Sequence, residues 1–218
     1  MSKHHYPDST QAKKDILGRL RNSLTGRYVQ LPEPPAGSFV VSSAESPIDL
    51  FRSNLQKVGG FCEVFPDINK IIGVLKNIIL EQNWNEVYCP YAYLNNLLNQ
   101  NEPQVDISNS FSNSLEAAIT NCESLVADTG TILVSSALSQ TRQVYPYAPT
   151  HIVVASISQL KRTLEEAISE ISEKYGKEYP STITAITGPS RTADIEKTLI
   201  LGAHGPKTLK VFVSESEF

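Results

Sequence analysis

Cysteine is scarce and unpaired in this 218-residue chain: Cys62, Cys89 and Cys122 make an odd number with no C-x-x-C spacing. A disulfide framework, a zinc site and an iron–sulfur cluster of its own are argued against by that count. Long apolar runs are missing too, since none approaches the ~18 residues of a membrane span. The longest, Ile71 to Leu80, is broken by Lys76. The start, Met1-Ser2-Lys3-His4-His5-Tyr6-Pro7-Asp8, lacks the apolar core of a secretory signal, so the cytoplasm is the expected compartment. His4 and His5 are adjacent, but a chain terminus rarely holds a metal in fixed geometry, and no metal site is expected. Nor is there a basic block: 19 Lys and Arg face 23 Asp and Glu, a net charge of −4. Nothing in that balance draws the chain onto nucleic acid or anionic lipid. G-x-G-x-x-G, P-loop, G-x-S-x-G and H-E-x-x-H patterns are all absent, which removes the standard nucleotide, serine-hydrolase and zinc-protease motifs.

What is present is the composition of a soluble globular protein, with 40% hydrophobic, 19% charged and 8% aromatic residues. A chain of this mass can bury roughly 70% of its unfolded surface. Ile16, Leu17, Leu20 and Leu24, interleaved with Lys13, Lys14, Arg19 and Arg21, read as a short amphipathic helix. The prolines of Leu31-Pro-Glu-Pro-Pro-Ala-Gly37 make the next stretch a linker. The expected division is therefore 1–37, an N-terminal helix and linker, and 38–218, a single domain.

Within 38–218 strand-like and helix-like segments alternate. Ser38 to Ser42 reads as a strand, and Ser46-Pro47 opens a helix carrying Ile48, Phe51, Leu55 and Val58 that Gly59-Gly60 ends. Phe61 to Phe65 pairs with a helix bearing Ile68, Ile71, Ile72, Leu75, Ile78 and Ile79; Glu86 to Cys89 pairs with Tyr91 to Leu98. Ser114 to Thr120 reads as a short helix, and Ser124 to Ser136 as a hairpin or a sharply bent strand turning at Asp128-Thr129-Gly130. His151 to Ala155 is a strand, Ile157 to Ile171 a long helix, and Thr182 to Thr187 and Leu209 to Val213 are the last strands. Repeated strand–helix units favour an α/β fold with a mostly parallel sheet flanked by helices.

Three turns concentrate the site-like polar residues. Asp128-Thr129-Gly130 superficially matches the aspartic-protease triplet, but it occurs once and sits among β–α units. It reads either as a structural turn or as a ligand-facing loop. Gly188-Pro189-Ser190-Arg191-Thr192-Ala193-Asp194 follows a strand and precedes Ile195 and Leu199, read as a helix. A strand-to-helix turn of this kind aims backbone N–H groups at an anion, with Arg191 as a bidentate partner, unless Ser190 or Thr192 only caps the helix. Gly202-Ala203-His204-Gly205-Pro206 supplies a histidine able to act as acid, base or anion donor, and Arg142 is a second candidate anion contact.

Gly188-Pro-Ser-Arg-Thr-Ala-Asp-Ile-Glu196 with Leu201-Gly-Ala-His-Gly-Pro206 resembles the signature of the lactate-utilisation protein C family (LutC/YkgG, the LUD domain). Ala127-Asp-Thr-Gly-Thr-Ile-Leu133, Arg142 and Pro149-Thr-His-Ile-Val-Val154 extend the resemblance across about 38–213. Asp128 stands where glutamate is common in that family. The resemblance implies a fold similar to the ribose-5-phosphate isomerase and CoA-transferase group (NagB/RpiA-like), with a small β-hairpin insertion and an N-terminal helix. It implies an accessory role in oxidising L-lactate to pyruvate, beside partner subunits that carry the iron–sulfur clusters. The expected ligand is a small anionic metabolite held by Asp128, Thr129, Gly130, Arg142, Gly188, Ser190, Arg191, Asp194 and His204, with His204 as the catalytic candidate. The alternative is a free-standing enzyme of the isomerase, CoA-transferase or formyltetrahydrofolate cyclo-ligase kind.

Overall fold

Asp67 accepts a hydrogen bond from the Lys70 backbone N–H at 3.0 Å, and behind this cap isoleucines and leucine recur at helical spacing. Local signals of this sort set most elements of the computed structural model, which describes residues 9–24, 45–100, 106–110, 112, 114–138, 144–193, 199–201 and 205–218. Contacts divide the chain into Met1–Val41 and Ser42–Phe218. The first unit holds helix α1 (Ser9–Leu24), on which Ile16, Leu17 and Leu20 are exposed. The second runs through α2 (Pro47–Lys57), β1 (Phe61–Phe65), α3 (Ile68–Glu81), β2 (Glu86–Tyr88), α4 (Ala92–Asn99), β3 (Asp106–Ser108), β4 (Ala117–Thr120), β5 (Ser124–Val126) and β6 (Thr131–Ser135). It continues through α5 (Val144–Tyr147), β7 (Thr150–Ser156), β8 (Leu160–Lys161), α6 (Leu164–Tyr175), β9 (Ile183–Ile186), β10 (Arg191–Ala193), β11 (Leu199–Leu201) and β12 (Thr208–Ser214).

Among the described residues the main sheet has the order β1-β12-β7-β4-β2-β3, and every pairing in it is parallel. Its central strands are apolar on both faces, as covered parallel strands must be. Ile119, Ile152, Val154 and Phe212 pack with Ile71, Leu75, Leu94 and Leu98 from α3 and α4. The alternate residues Val153, Ala155, Val211 and Val213 pack with Phe51 and Leu55 of α2 and with Leu125, Ile132 and Val134. Those last three belong to a second sheet, β8-β5-β6-β9, whose outer side meets Ala167 and Ile171 of α6 through Val126 and Leu133. Each fully buried side chain of this size contributes roughly 1.5–3 kcal/mol. The protein is thus an α/β fold with a parallel sheet between helices and a smaller, mixed sheet on one side.

Three expectations change. Ser114 to Thr120 is no helix: Ala117–Thr120 is a central strand between β7 and β2, buried throughout. Alanine's helix preference is worth only tenths of a kcal/mol there and yields to burial between neighbouring strands. Ile157 to Ile171 is not one helix, because Ile157–Gln159 is a 3-10 turn and Leu160–Lys161 pairs with β5. The helix starts only at Leu164, behind a Thr163–Glu166 capping box. Arg191–Ala193 and Leu199–Leu201 pair as an antiparallel ribbon, β10 with β11, so Leu199 is in a strand and not in a helix, while Ile195 lies outside the described residues. Among the described residues no helix N-terminus stands at Gly188–Arg191 to receive an anion. Ser38 to Ser42 lies outside the described residues.

Candidate functional site

The sequence-predicted turns that the structure describes meet around the C-terminal end of α2. Asn54 donates its amide to the carbonyls of Ala127 and Asp128, both at 3.0 Å. Gly130 has φ 63°, and a side chain there would run into the backbone of Asn54 and Leu55. Thr129 donates to Thr131 at 2.7 Å, and Thr131 shares a 2.8 Å hydrogen bond with Thr187, which leads to the second turn. There Gly188 lies against Val58, and the Arg191 guanidinium lies where a side chain on Gly59 would be. Ser190 donates its backbone N–H to the Pro206 carbonyl at 2.8 Å, tying this turn to the third.

This cluster is at the amino edge of the parallel sheet. Gly60 precedes β1, Lys207 precedes β12, and the Lys207 N–H bonds the carbonyl of Pro149, which precedes β7. Arg191 is exposed, and among the described residues it has no ion-pair partner. Asp128 is half-buried with Arg162 4.0 Å away, and its backbone is held by the Arg162 carbonyl. Both readings of the triplet thus keep support: the backbone is a built turn, and the carboxylate is partly open. Arg142, Asp194 and His204 lie outside the described residues.

At the opposite, carboxyl edge runs a groove that the sequence did not announce. One cavity of about 350 Å³ is lined by Tyr91, Asn121, Cys122, Ser156 and neighbours. An adjoining one of about 360 Å³ reaches Glu123, Ser124, Glu170 and Ile171, and the two share Ser158, Gln159, Lys174 and Glu217. Glu123 is buried yet fully engaged: it accepts from Ser135 at 2.5 Å, Tyr175 at 2.7 Å and Lys174 at 2.8 Å. Burial works to lower the Lys174 pKa, but Glu123 outweighs it and the net shift is upward. Burial and the bond to Glu123 raise Tyr175. The fold brings these groups together from distant stretches of the chain.

The thiols are unsuited to ligation or attack. Burial pushes Cys62 and Cys89 up to about 12, and Cys122 higher still. Among the described residues no three His, Cys, Asp or Glu side chains stand together as a metal-holding group, and no helix is long and apolar enough to cross a membrane. Comparison with known proteins adds the rest. The LUD domain model matches residues 92–213. A lactate utilization protein C of Deinococcus radiodurans is 23% identical over 214 residues, 95% of this chain and 97% of that one. Its namesake in Geobacillus thermodenitrificans is 27% identical over 158 residues, 71% of this chain and 63% of that protein. In Bacillus subtilis the protein of the same name is 35% identical over 100 residues, 44% of this chain and 42% of that one. A crystal structure of a DUF162 family protein from Deinococcus radiodurans superposes with TM-score 0.58 at 19% identity, over 77% of this chain and 96% of that one. That likeness speaks for the fold.

Proposed function

The chain belongs to the LUD domain family, and from that premise we propose that it is a lactate-utilisation component, the subunit that binds a small anion while partners move the electrons. Relatives named lactate utilization protein C support the role, one of them aligned along 97% of its own length. The observation that carries the anion reading is Arg191: an exposed guanidinium set over Gly59, in the signature turn, with no ion-pair partner among the described residues. A guanidinium of this kind suits the carboxylate of lactate or pyruvate through two parallel hydrogen bonds. Asp128, Thr129, Gly130, Gly188 and Ser190 form the surrounding wall, and Arg142, Asp194 and His204 are proposed to complete it.

The electron path in this reading lies in iron–sulfur subunits beside this chain in the cytoplasm, since its own thiols are buried and protonated. The second reading, a free-standing small-molecule enzyme, is favoured by the carboxyl-edge groove with its Glu123–Lys174 pair. Reconstitution separates the two. L-lactate oxidation that needs this chain together with iron–sulfur partners supports the first, whereas turnover by the purified chain alone supports the second. Oxidation at full rate with the chain left out would contradict the first reading.

A further inference from the structure

In the parallel sheet β2 and β4 are neighbours, yet the chain leaves them in opposite directions: from β2 outward to β3, and from β4 back toward β7. Between strands whose connections diverge, a crevice opens outside their carboxyl ends, and open α/β sheets bind ligands there. Tyr91 lies just beyond β2 and Asn121 just beyond β4, and both line the cavity of about 350 Å³. That volume lies within the range of small-molecule sites, roughly 300–1,000 Å³.

A second observation lies in the adjoining cavity. Ser124 lines it, is 0% exposed, and its Oγ has no hydrogen-bond partner. Buried hydroxyls are normally satisfied, so this one is left for a group the cavity receives. The groups around it sort by whether they are already engaged. Gln159 donates to the Cys122 carbonyl and accepts from the Ser156 N–H, so it is wall rather than contact. Lys174 is held by Glu123 and Glu170 by Lys161, each at 2.8 Å. Among the described residues Asn121 and Glu217 have no hydrogen bond or ion pair. The groove therefore presents an unpaired carboxylate, an amide and a hydroxyl, and no uncommitted cation.

That set disfavours phosphate and favours a ligand rich in hydroxyl donors, because a carboxylate at a crevice of this kind accepts from the vicinal hydroxyls of a ribose. Aromatic surface stands beside it: the Tyr91 ring is 6.3 Å from Tyr93, which stacks on Phe218 at 6.1 Å and 12°. A planar heterocycle can stack on such a face. We propose that this groove is a binding site for a nucleoside, with the base against Tyr91 and Asn121, the ribose diol on Glu217, and a further ribose hydroxyl on Ser124.

Calorimetric titration of adenosine, ribose and adenosine monophosphate into the full chain tests this. Adenosine is expected to bind one to one, with ribose and the monophosphate at least tenfold weaker. Glu217→Gln and Ser124→Ala are each expected to weaken adenosine at least fivefold while leaving the melting temperature unchanged. No binding of adenosine, guanosine, cytidine or uridine at millimolar concentration would overturn the proposal. So would tighter binding of the monophosphate, or adenosine affinity indifferent to both substitutions.

Discussion

His151 lies in β7, fully buried, with Nε2 2.8 Å from the Thr120 hydroxyl, while Nδ1 has no partner. A protonated ring would place a second N–H donor at a position without an acceptor, and burial accordingly pulls the pKa from 6.5 down to about 4. The unfolded chain then takes up its proton first. Between those two values it binds more protons than the folded chain, so the contribution to stability is complete above pH 6.5 and is lost as pH falls toward 4. At about 1.36 kcal/mol per unit, the loss reaches about 2 kcal/mol near pH 5 and about 3 kcal/mol near pH 4. Urea unfolding of wild type and His151→Gln from about pH 7.5 downward isolates this term from the carboxylates, which both proteins share. The wild type should lose about 2 kcal/mol more than the variant by about pH 5. Parallel stability curves for the two proteins would refute the argument, as would an imidazole titrating near 6.5 in the folded protein.

Gly130→Ala should destabilise by roughly 1–2 kcal/mol of left-handed strain plus roughly 1–3 kcal/mol of overpacking against the Asn54 and Leu55 backbone, read by chemical denaturation. Thr163→Ala removes the cap of α6 and should cost about 1 kcal/mol, a melting shift of roughly 2–4 °C. Because Cys62, Cys89 and Cys122 are buried and their thiols pushed upward, a disulfide reagent should label them slowly in the native protein and completely in denaturant; fast native labelling would place a thiolate at the surface.

Where local chemistry decides, the sequence was enough. Asp67 before the isoleucine-rich run gives α3, and the alternate packing of Val153 and Val154 marks β7 as covered on both faces. Where tertiary context decides, the sequence misleads. Ala117 and Ala118 are good helix formers held in a strand, and Leu199, read as part of a helix, pairs in a ribbon with Ala193. The site shows the same division. Asp128 to Gly130 and Gly188 to Arg191 could be picked from their residue types, and they do approach one another around α2. They stand beside the strand starts at Gly60, Pro149 and Lys207, a position that follows from the sheet order and not from the turns' own residue types. Glu123, Lys174 and Glu217 gave no signal, since nothing local pairs an isolated glutamate with a lysine one helix and several strands away.

The anion site at Arg191 is the centre of this account, and titrating L-lactate, pyruvate and phosphate into wild type and Arg191→Ala tests it most directly. At least one of these anions is expected to bind wild type, with binding weakened by roughly 1.5–3 kcal/mol in the variant, the range for hydrogen bonds to charged groups, at an unchanged melting temperature. Equal affinities in a variant that melts like wild type would contradict it, as would a variant that loses melting temperature and keeps its affinity.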